Sequence, residues 1–402
     1  MVQNAVERSA DKPESRQQGR LRSMAAAIVC ISVVGFALSL TLPLLSLMLE
    51  ARGVSDTWIG LNTAVAGVAA LIVSPLTAGL ARRFGTTRLI YLAILAGCVC
   101  LLLLAPAPFW LWFPLRFILS AAITILFVIS EFWINAAAPD HKRGLVMGIY
   151  STVLSMGFAL GPAVLAIFGS ASTVPLGIAI AAFLFAAVPV AFAGPLVPRV
   201  EGRANYRLLA LLFVAPAATL AAFVYGSGES TMFTFMALWG IRGGLTESTA
   251  ALLITMAGLG NMLSQIPIGL VADRANKTLA LAVCGAFGFI GAALLPATVG
   301  TPWLVFTVIF FWGGMAAGLY TVGLTQLGAR FSGADLAAAN GLFVMLYAVG
   351  MLVGPGVGGI ALDLWPLYGM PMVIATFFGI YAAFAFVRWW LAPPAASGRP
   401  IP

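Results

Sequence analysis

Three strongly ionisable side chains fall in stretches of sequence that offer them no water: Arg116, Glu131 and Glu229. Glu229 is the sharpest case. It lies in "FVYGSGESTMF" (223–233), and over residues 215–239 the only other ionisable group is Tyr225. A lone carboxylate in such a setting has two chemistries open to it. It can hold packed elements together through a hydrogen bond, or it can bind and release a proton as its hydration changes. Arg116 and Glu131 are fifteen residues apart on one apolar segment, about 22 Å along a helix. They cannot pair with each other, so each needs a partner from elsewhere.

The elements that must position these groups follow from composition. Of the 402 residues, 61% are hydrophobic and 8% are charged, against about a quarter charged in a soluble domain. A water-facing surface cannot be built from that mixture, so lipid is the main solvent. Apolar runs of roughly 20 residues recur, each long enough to span a bilayer as a helix, and the short alternating pattern of barrel strands is absent. Twelve spans are expected, near 24–49, 56–80, 88–106, 110–136, 144–168, 174–194, 215–239, 247–270, 278–296, 302–328, 336–362 and 370–391. The fold class is therefore an all-α multi-pass membrane protein. Its units are an N-tail (1–23), a six-helix bundle (24–194), a polar linker (195–214), a second six-helix bundle (215–391) and a C-tail (392–402).

With the N-terminus inside, 18 of the 21 Lys and Arg residues lie in inside segments, and only Arg52 and Arg242 fall outside. That bias places both termini in the cytoplasm of a plasma membrane, or of the inner membrane in a bacterium. It also accounts for the net charge of +8 through anionic lipid, without nucleic acid. Cys30, Cys98, Cys100 and Cys284 sit in apolar runs without metal-ligand spacing, and the sole histidine, His141, is a loop residue. No P-loop, metal cluster or Ser/His/Asp pattern appears. No cofactor, no metal and no enzyme activity are expected.

The halves repeat. Arg52 answers Arg242, and Asp56 answers Glu247. Gly148, Gly157, Gly161 and Pro162 in span 5 are matched 193 residues later by Gly341, Gly350, Gly354 and Pro355 in span 11. Such repeats build transporters from two bundles around one central site. The loop after span 8, "GLVADRANKT" (269–278), and the glycine series of span 11, which continues through Gly358 and Gly359, make the chain resemble the major facilitator superfamily over nearly its whole length. Within it, "SEFWINAAAPDHKRGLVMGIY" (130–150) resembles the YcaD-type branch. The resemblance implies a 6+6 fold, secondary transport, and an antiporter-like role for Gly157, Gly161, Pro162, Gly350, Gly354 and Pro355. Span 5 departs from that pattern at Leu165 and Ala166. The loop after span 2, "AGLARRFGTTR" (78–88), carries Arg82 where the family has aspartate.

On this reading Glu229, ten residues before Trp239, lies about 15 Å from the outer end of its span. That is half of a ~30 Å bilayer core. It is expected to couple protons, with Glu131 and Arg116 toward the two ends of span 4. Gly226 and Gly228 beside it would allow close approach or local unwinding. Asn62, Tyr225, Phe233, Asn261, Gln265, Trp312, Tyr320 and Tyr347 are the candidate cavity residues, a set suited to amphipathic or cationic organic solutes. Glu50, Asp56 or Glu247 could reach inward to Arg116, and Lys142 or Arg143 could meet Glu131. Two cytoplasmic latches of swapped sign are expected. One joins Arg82 to Asp335; the other joins Asp273, beside Arg274, to Lys142 and Arg143. The sequence thus points to a monomeric secondary transporter that exports small organic molecules in exchange for protons. A proton-coupled importer on the same scaffold is the alternative, and a non-transporting receptor a more distant one.

Overall fold

The structure, a computed structural model, describes residues 13–138, 143–193, 215–331 and 333–391. Among them the chain forms twelve long helices and no strand. In chain order these are α1 (Pro13–Glu50), α2 (Asp56–Phe84), α3 (Thr86–Leu104), α4 (Trp112–Ala137), α5 (Arg143–Phe168) and α6 (Val174–Ala193). The second half follows with α7 (Pro216–Arg242), α8 (Glu247–Arg274), α9 (Lys277–Leu294), α10 (Pro302–Arg330), α11 (Gly333–Leu364) and α12 (Gly369–Trp390). Each expected span is one helix. Among the described residues, ten helices are long and apolar enough to cross a membrane; α7 falls short through its serines, threonines and glutamate, and α5 counts only as a shorter apolar helix, Thr152–Phe168.

Residues 13–23 of the expected tail are helical and continuous with α1, whose membrane-crossing stretch begins at Arg22. Pro13 suits a helix start, and the Glu, Gln and Arg that follow are good helix formers, which carry the helix through Gly19 to the apolar run. The linker 195–214 and the C-tail 392–402 lie outside the described residues.

Short connections fix the order of the helices. Thr246 Oγ1 caps α8 by accepting from Thr249 N at 3.3 Å, and Asn276 Oδ1 caps α9 by accepting from Thr278 N and Leu279 N. Among the described residues, positive φ occurs only at Gly53, Gly85, Gly169, Gly244 and Gly300, each in a turn between helices. These turns require left-handed backbone, which glycine supplies without strain.

Helices pack closely where small residues replace a side chain. In the first half, α5 lies on α1: a Cβ on Gly157 would fall 2.6 Å from Ser32 O. In the second half, α11 lies on α7: a Cβ on Gly354 would fall 2.7 Å from Ser227 Cα. The glycines of the repeated motif are thus the close-approach points of matching helix pairs. The halves meet along two seams. On one, α2 runs against α11, with Gly60 facing Pro355, Gly67 facing Leu352 and Ala348, and Gly359 facing Asp56 and Thr57. On the other, α5 runs against α8, with Ala159 on Gly258.

The two ends of the molecule differ. At the end holding Glu50, Asp56 and Arg242, polar bonds join the halves. Arg242 of α7 forms ion pairs with Asp56, through both carboxylate oxygens, and with Glu50 at 3.0 Å. Asp363 at the end of α11 accepts from Asp56 N at 3.0 Å, Thr57 N at 2.9 Å and Thr57 Oγ1 at 2.6 Å. Glu247 accepts from Ser170 N. At the other end, Arg82 and Asp335 are both exposed.

Candidate functional site

The most enclosed helix positions the site. Of the 27 residues of α7, 21 are buried. A helix with so many hydroxyls can be buried because it satisfies them internally. Thr219 donates to Ala215 O, Ser227 to Phe223 O, Thr231 to Ser227 O and Thr234 to Ser230 O, each four residues back. That back-bonding removes the penalty of an unsatisfied hydroxyl away from water. From Val224 to Gly240 every residue is buried except Glu229. The helix is continuous there, so of the two roles open to Gly226 and Gly228, close approach and local unwinding, the structure shows close approach. Those glycines admit Tyr347 and Phe378 against the helix.

Glu229 borders a narrow cavity lined by Ser155 and Phe158 of α5, Tyr225, Met232 and Phe233 of α7, Asn261 of α8 and Trp312 of α10. Its walls come from both halves. Tyr225 Oη donates to Glu229 Oε1 at 2.6 Å, and Tyr347 Oη of α11 donates to Glu229 Oε2 at 2.5 Å. Each carboxylate oxygen therefore has one phenol, an arrangement that favours the ionised group through charge-assisted hydrogen bonds. The network continues through Asn261 Nδ2, 3.4 Å from Tyr225 Oη. Gln265 Nε2 then donates to Asn261 Oδ1 at 2.7 Å, and Thr321 Oγ1 to Gln265 Oε1 at 2.6 Å. Four helices of the second half thus hold one acid in one orientation. The rings of Tyr225, Tyr320 and Tyr347 pack mutually at 5.7–6.0 Å between centroids. Trp312 is fixed by its indole N–H donating to Gly288 O at 3.1 Å.

Of the cavity residues expected from sequence, Tyr225, Phe233, Asn261 and Trp312 line this cavity with Glu229. Gln265, Tyr320 and Tyr347 stand behind it in the network. Asn62 is separate: it is buried in α2, and its Nδ2 has no hydrogen-bond partner. Ser155, Phe158 and Met232 were not anticipated. Phe158 meets Phe233 edge-on at 5.9 Å, a contact between halves that helical periodicity within one span cannot reveal.

Glu131 and Arg116 lie on α4. Glu131 is half-buried, within electrostatic reach of Tyr150 of α5 and Tyr320 of α10. Tyr320 also feels Glu229, so one phenol is within electrostatic reach of both acids. Arg116 is 3% exposed, and its Nε has no partner. The carboxylates expected to reach it are engaged elsewhere, Glu50 and Asp56 by Arg242 and Glu247 by Ser170 N. Arg274 is exposed at the end of α8. Lys142, and the side chains of Arg143 and Asp273, lie outside the described residues, and the second expected latch with them.

Comparison with known proteins agrees with this architecture. The family model for the Major Facilitator Superfamily matches residues 27–243 and 218–402. An uncharacterized MFS-type transporter of Bacillus subtilis, YfkF, is 24% identical over 346 residues, covering 83% of this chain and 86% of that protein. The uncharacterized MFS-type transporter YcaD of Escherichia fergusonii is 25% identical over 291 residues, covering 71% and 74%. Among solved structures, a bacterial homolog of the human lysosomal transporter Spinster, inward-facing and unoccupied, superposes with a TM-score of 0.76 at 16% identity, covering 96% of this chain and 100% of that one. The nucleoside transporter NupG gives 0.72 at 16%, covering 93% and 100%. At that identity the likeness concerns the fold alone. The chain belongs to the Major Facilitator Superfamily: it is a multi-pass membrane secondary transporter, not an enzyme, similar to the YcaD- and YfkF-type members.

Proposed function

We propose that the protein exports small organic molecules in exchange for protons, with Glu229 as the group that carries the proton. The observation that supports this most is the setting of Glu229. It is the single unburied residue in a 17-residue stretch of α7, and it faces a cavity walled by both halves. Ionised, it accepts from both tyrosines. Protonated, it must donate through one oxygen, and one phenol must turn away or accept instead. The two protonation states therefore demand different arrangements of Tyr225 and Tyr347.

Tyr347 gives that difference a mechanical outlet. It lies on α11, and the next residue, Ala348, abuts Gly67 of α2 across the seam between halves. A change at the Glu229–Tyr347 bond is thus one residue from the surface on which the halves move. The cavity supplies aromatic faces from Phe158, Phe233 and Trp312, one acid, and the Asn261 amide. That lining suits flat aromatic solutes, neutral or cationic, whose binding competes with the proton.

The test is reconstitution in proteoliposomes carrying an internal pH dye, challenged with a panel of cationic and neutral aromatic compounds. Proton movement opposite to the solute is the expected result. Proton movement in the same direction would identify an importer on this scaffold. Solute flux without proton movement would overturn the coupling.

A further inference from the structure

Arg116 is the one buried cation that the account so far leaves without a task. Among the described residues it makes no hydrogen bond and no ion pair, and its Nε is enclosed and unpartnered. Asn62 Nδ2, on the neighbouring α2, is in the same condition. The two are at one level. The rings of Trp58 and Phe113 meet at 6.1 Å, and α2 and α4 both begin at this end and run the same way. Asn62 is four residues past Trp58, and Arg116 three past Phe113. Each is therefore one turn below the ring contact and on its side of the helix. Arg116 Nε and Asn62 Nδ2 are thus both unpartnered at this level, and the cost of an uncompensated buried guanidinium favours an anion beside it in some state of the protein.

The acceptors are close by but occupied. Glu50 ends α1 and Asp56 begins α2, and both helices pack against α4. In this structure both carboxylates are bound by Arg242, which belongs to the other half. The other carboxylates at this end are also committed across the halves, Asp363 to Asp56 and Thr57, and Glu247 to Ser170. Arg52, the remaining cation here, is held by the carbonyls of Ala105 and Ala107 and lies over the Trp112 ring.

We infer that Glu50 and Asp56 are carboxylates shared between two arginines, held by Arg242 while the halves are closed at this end and by Arg116, with Asn62, when they part. Glu50, Asp56, Asn62 and Arg116 all belong to the first half and move as one body, whereas Arg242 leaves with the second. Parting removes the cation that the carboxylates hold now. Arg116 lies at the level of Asn62, six residues past Asp56 and so about 9 Å below it along the helix, a gap that an extended arginine and the carboxylate side chain can span together. The exchange keeps both carboxylates compensated in both states, so opening does not strand two anions. It keeps the two conformers close in free energy, which a transporter that must visit both requires. The inference rests on the transporter fold and is independent of the coupling ion and of the direction of transport.

The experiment is a distance measurement between spin labels on Ser55→Cys and Ser248→Cys. Both are exposed residues at this end, one in each half. The four native cysteines, all buried, are replaced by alanine, and the protein is held in lipid nanodiscs. Arg242→Gln should raise the long-distance (open) population several-fold relative to the parent. Arg116→Gln should lower it several-fold, the opposite sign for two arginines at the same end. In a Glu50→Gln, Asp56→Asn background, Arg116→Gln should leave the population unchanged. Should Arg116→Gln not fold, Arg116→Lys, which keeps the charge without the fork, should lower the open population by less. An Arg116 variant that leaves the open population unchanged or raises it overturns the exchange. So does an effect that persists in the background lacking the carboxylates, which would assign Arg116 to hydration or to a bound anionic solute.

Discussion

In the second half, Glu229 has a tyrosine on each oxygen, and the network behind it reaches through Asn261 and Gln265 to Thr321. In the first half, Arg116 Nε, Asn62 Nδ2 and Tyr150 Oη are enclosed without partners. The two halves share a helical plan, down to the glycines that seat α5 on α1 and α11 on α7. Enclosed polar atoms without partners occur in the second half too, at Thr255 Oγ1, Gln326 Oε1 and Asn340 Oδ1, so the halves differ in how they treat the buried charge and not every polar group. A satisfied network fixes geometry, and the second half presents a preformed acid to the cavity. The buried Arg116 of the first half has no such network around it. The contrast between α5 and α11 points the same way. Span 11 keeps Gly358 and Gly359 where span 5 has Leu165 and Ala166, and Gly359 is where α2 of the other half rests its Asp56 backbone. Of these two glycines, Gly359 belongs to the seam between halves, whereas Gly358 meets Thr231 and Phe235 of α7 within its own half.

The packing side of this comparison predicts the largest effect. Gly354→Leu would drive a branched side chain into Ser227 of α7 and should destabilise the fold by about 3 kcal/mol or more. The check is thermal stability in detergent against Gly177→Ala on α6. There a Cβ meets nothing within 4 Å, and the change should be neutral or slightly stabilising.

The polar side predicts intermediate effects. Tyr347→Phe removes one donor from Glu229. A hydrogen bond to a charged group is worth about 1.5–3 kcal/mol, so pH-gradient-driven transport should fall roughly 10- to 100-fold. Tyr150→Phe, on the first half, deletes a hydroxyl that bonds to nothing among the described residues and should change transport little. Equal losses in the two variants, measured as initial rates in proteoliposomes, would erase the contrast between the halves.

The smallest effect belongs to the opposite end, where Arg82 and Asp335 are exposed. Arg82→Asp and Asp335→Arg, made singly, should each impair transport modestly. The double variant should recover, because an exposed pair contributes only ~0–1 kcal/mol. Purely additive defects in the double variant would remove the proposed latch.

Much of this was legible in the sequence, for identifiable reasons. Twelve helices followed from the apolar runs, because the bilayer sets their length. Glu229 stood out because one carboxylate interrupts residues 215–239. Its bond to Tyr225 was readable in principle from the four-residue spacing on one helix. Tyr347 was readable only as a cavity aromatic, because 118 residues separate it from Glu229. The repeat paired Arg52 with Arg242 and Asp56 with Glu247, yet Arg242 bonds Asp56 across the halves while Arg52 caps loop carbonyls. Symmetry of sequence does not say which partner lies across a seam. Asp363 was overlooked, although a signal existed. A carboxylate at the C-terminal end of a helix opposes that helix's dipole. Its reason is the N-terminus of α2, whose backbone N–H groups it accepts. The N-terminal extension of α1 was missed because polarity marks where the membrane ends, not where the helix does.

The claim at the centre of this account is that Glu229 carries the proton, and one variant tests it most directly. Glu229→Gln is close in size and keeps a partner for both tyrosines, so the fold and solute binding should survive. In proteoliposomes the variant should still exchange labelled solute across the membrane at equal pH on both sides. It should show no accumulation driven by a pH gradient and no solute-dependent proton movement. Wild-type accumulation and wild-type pH dependence in Glu229→Gln would contradict the account.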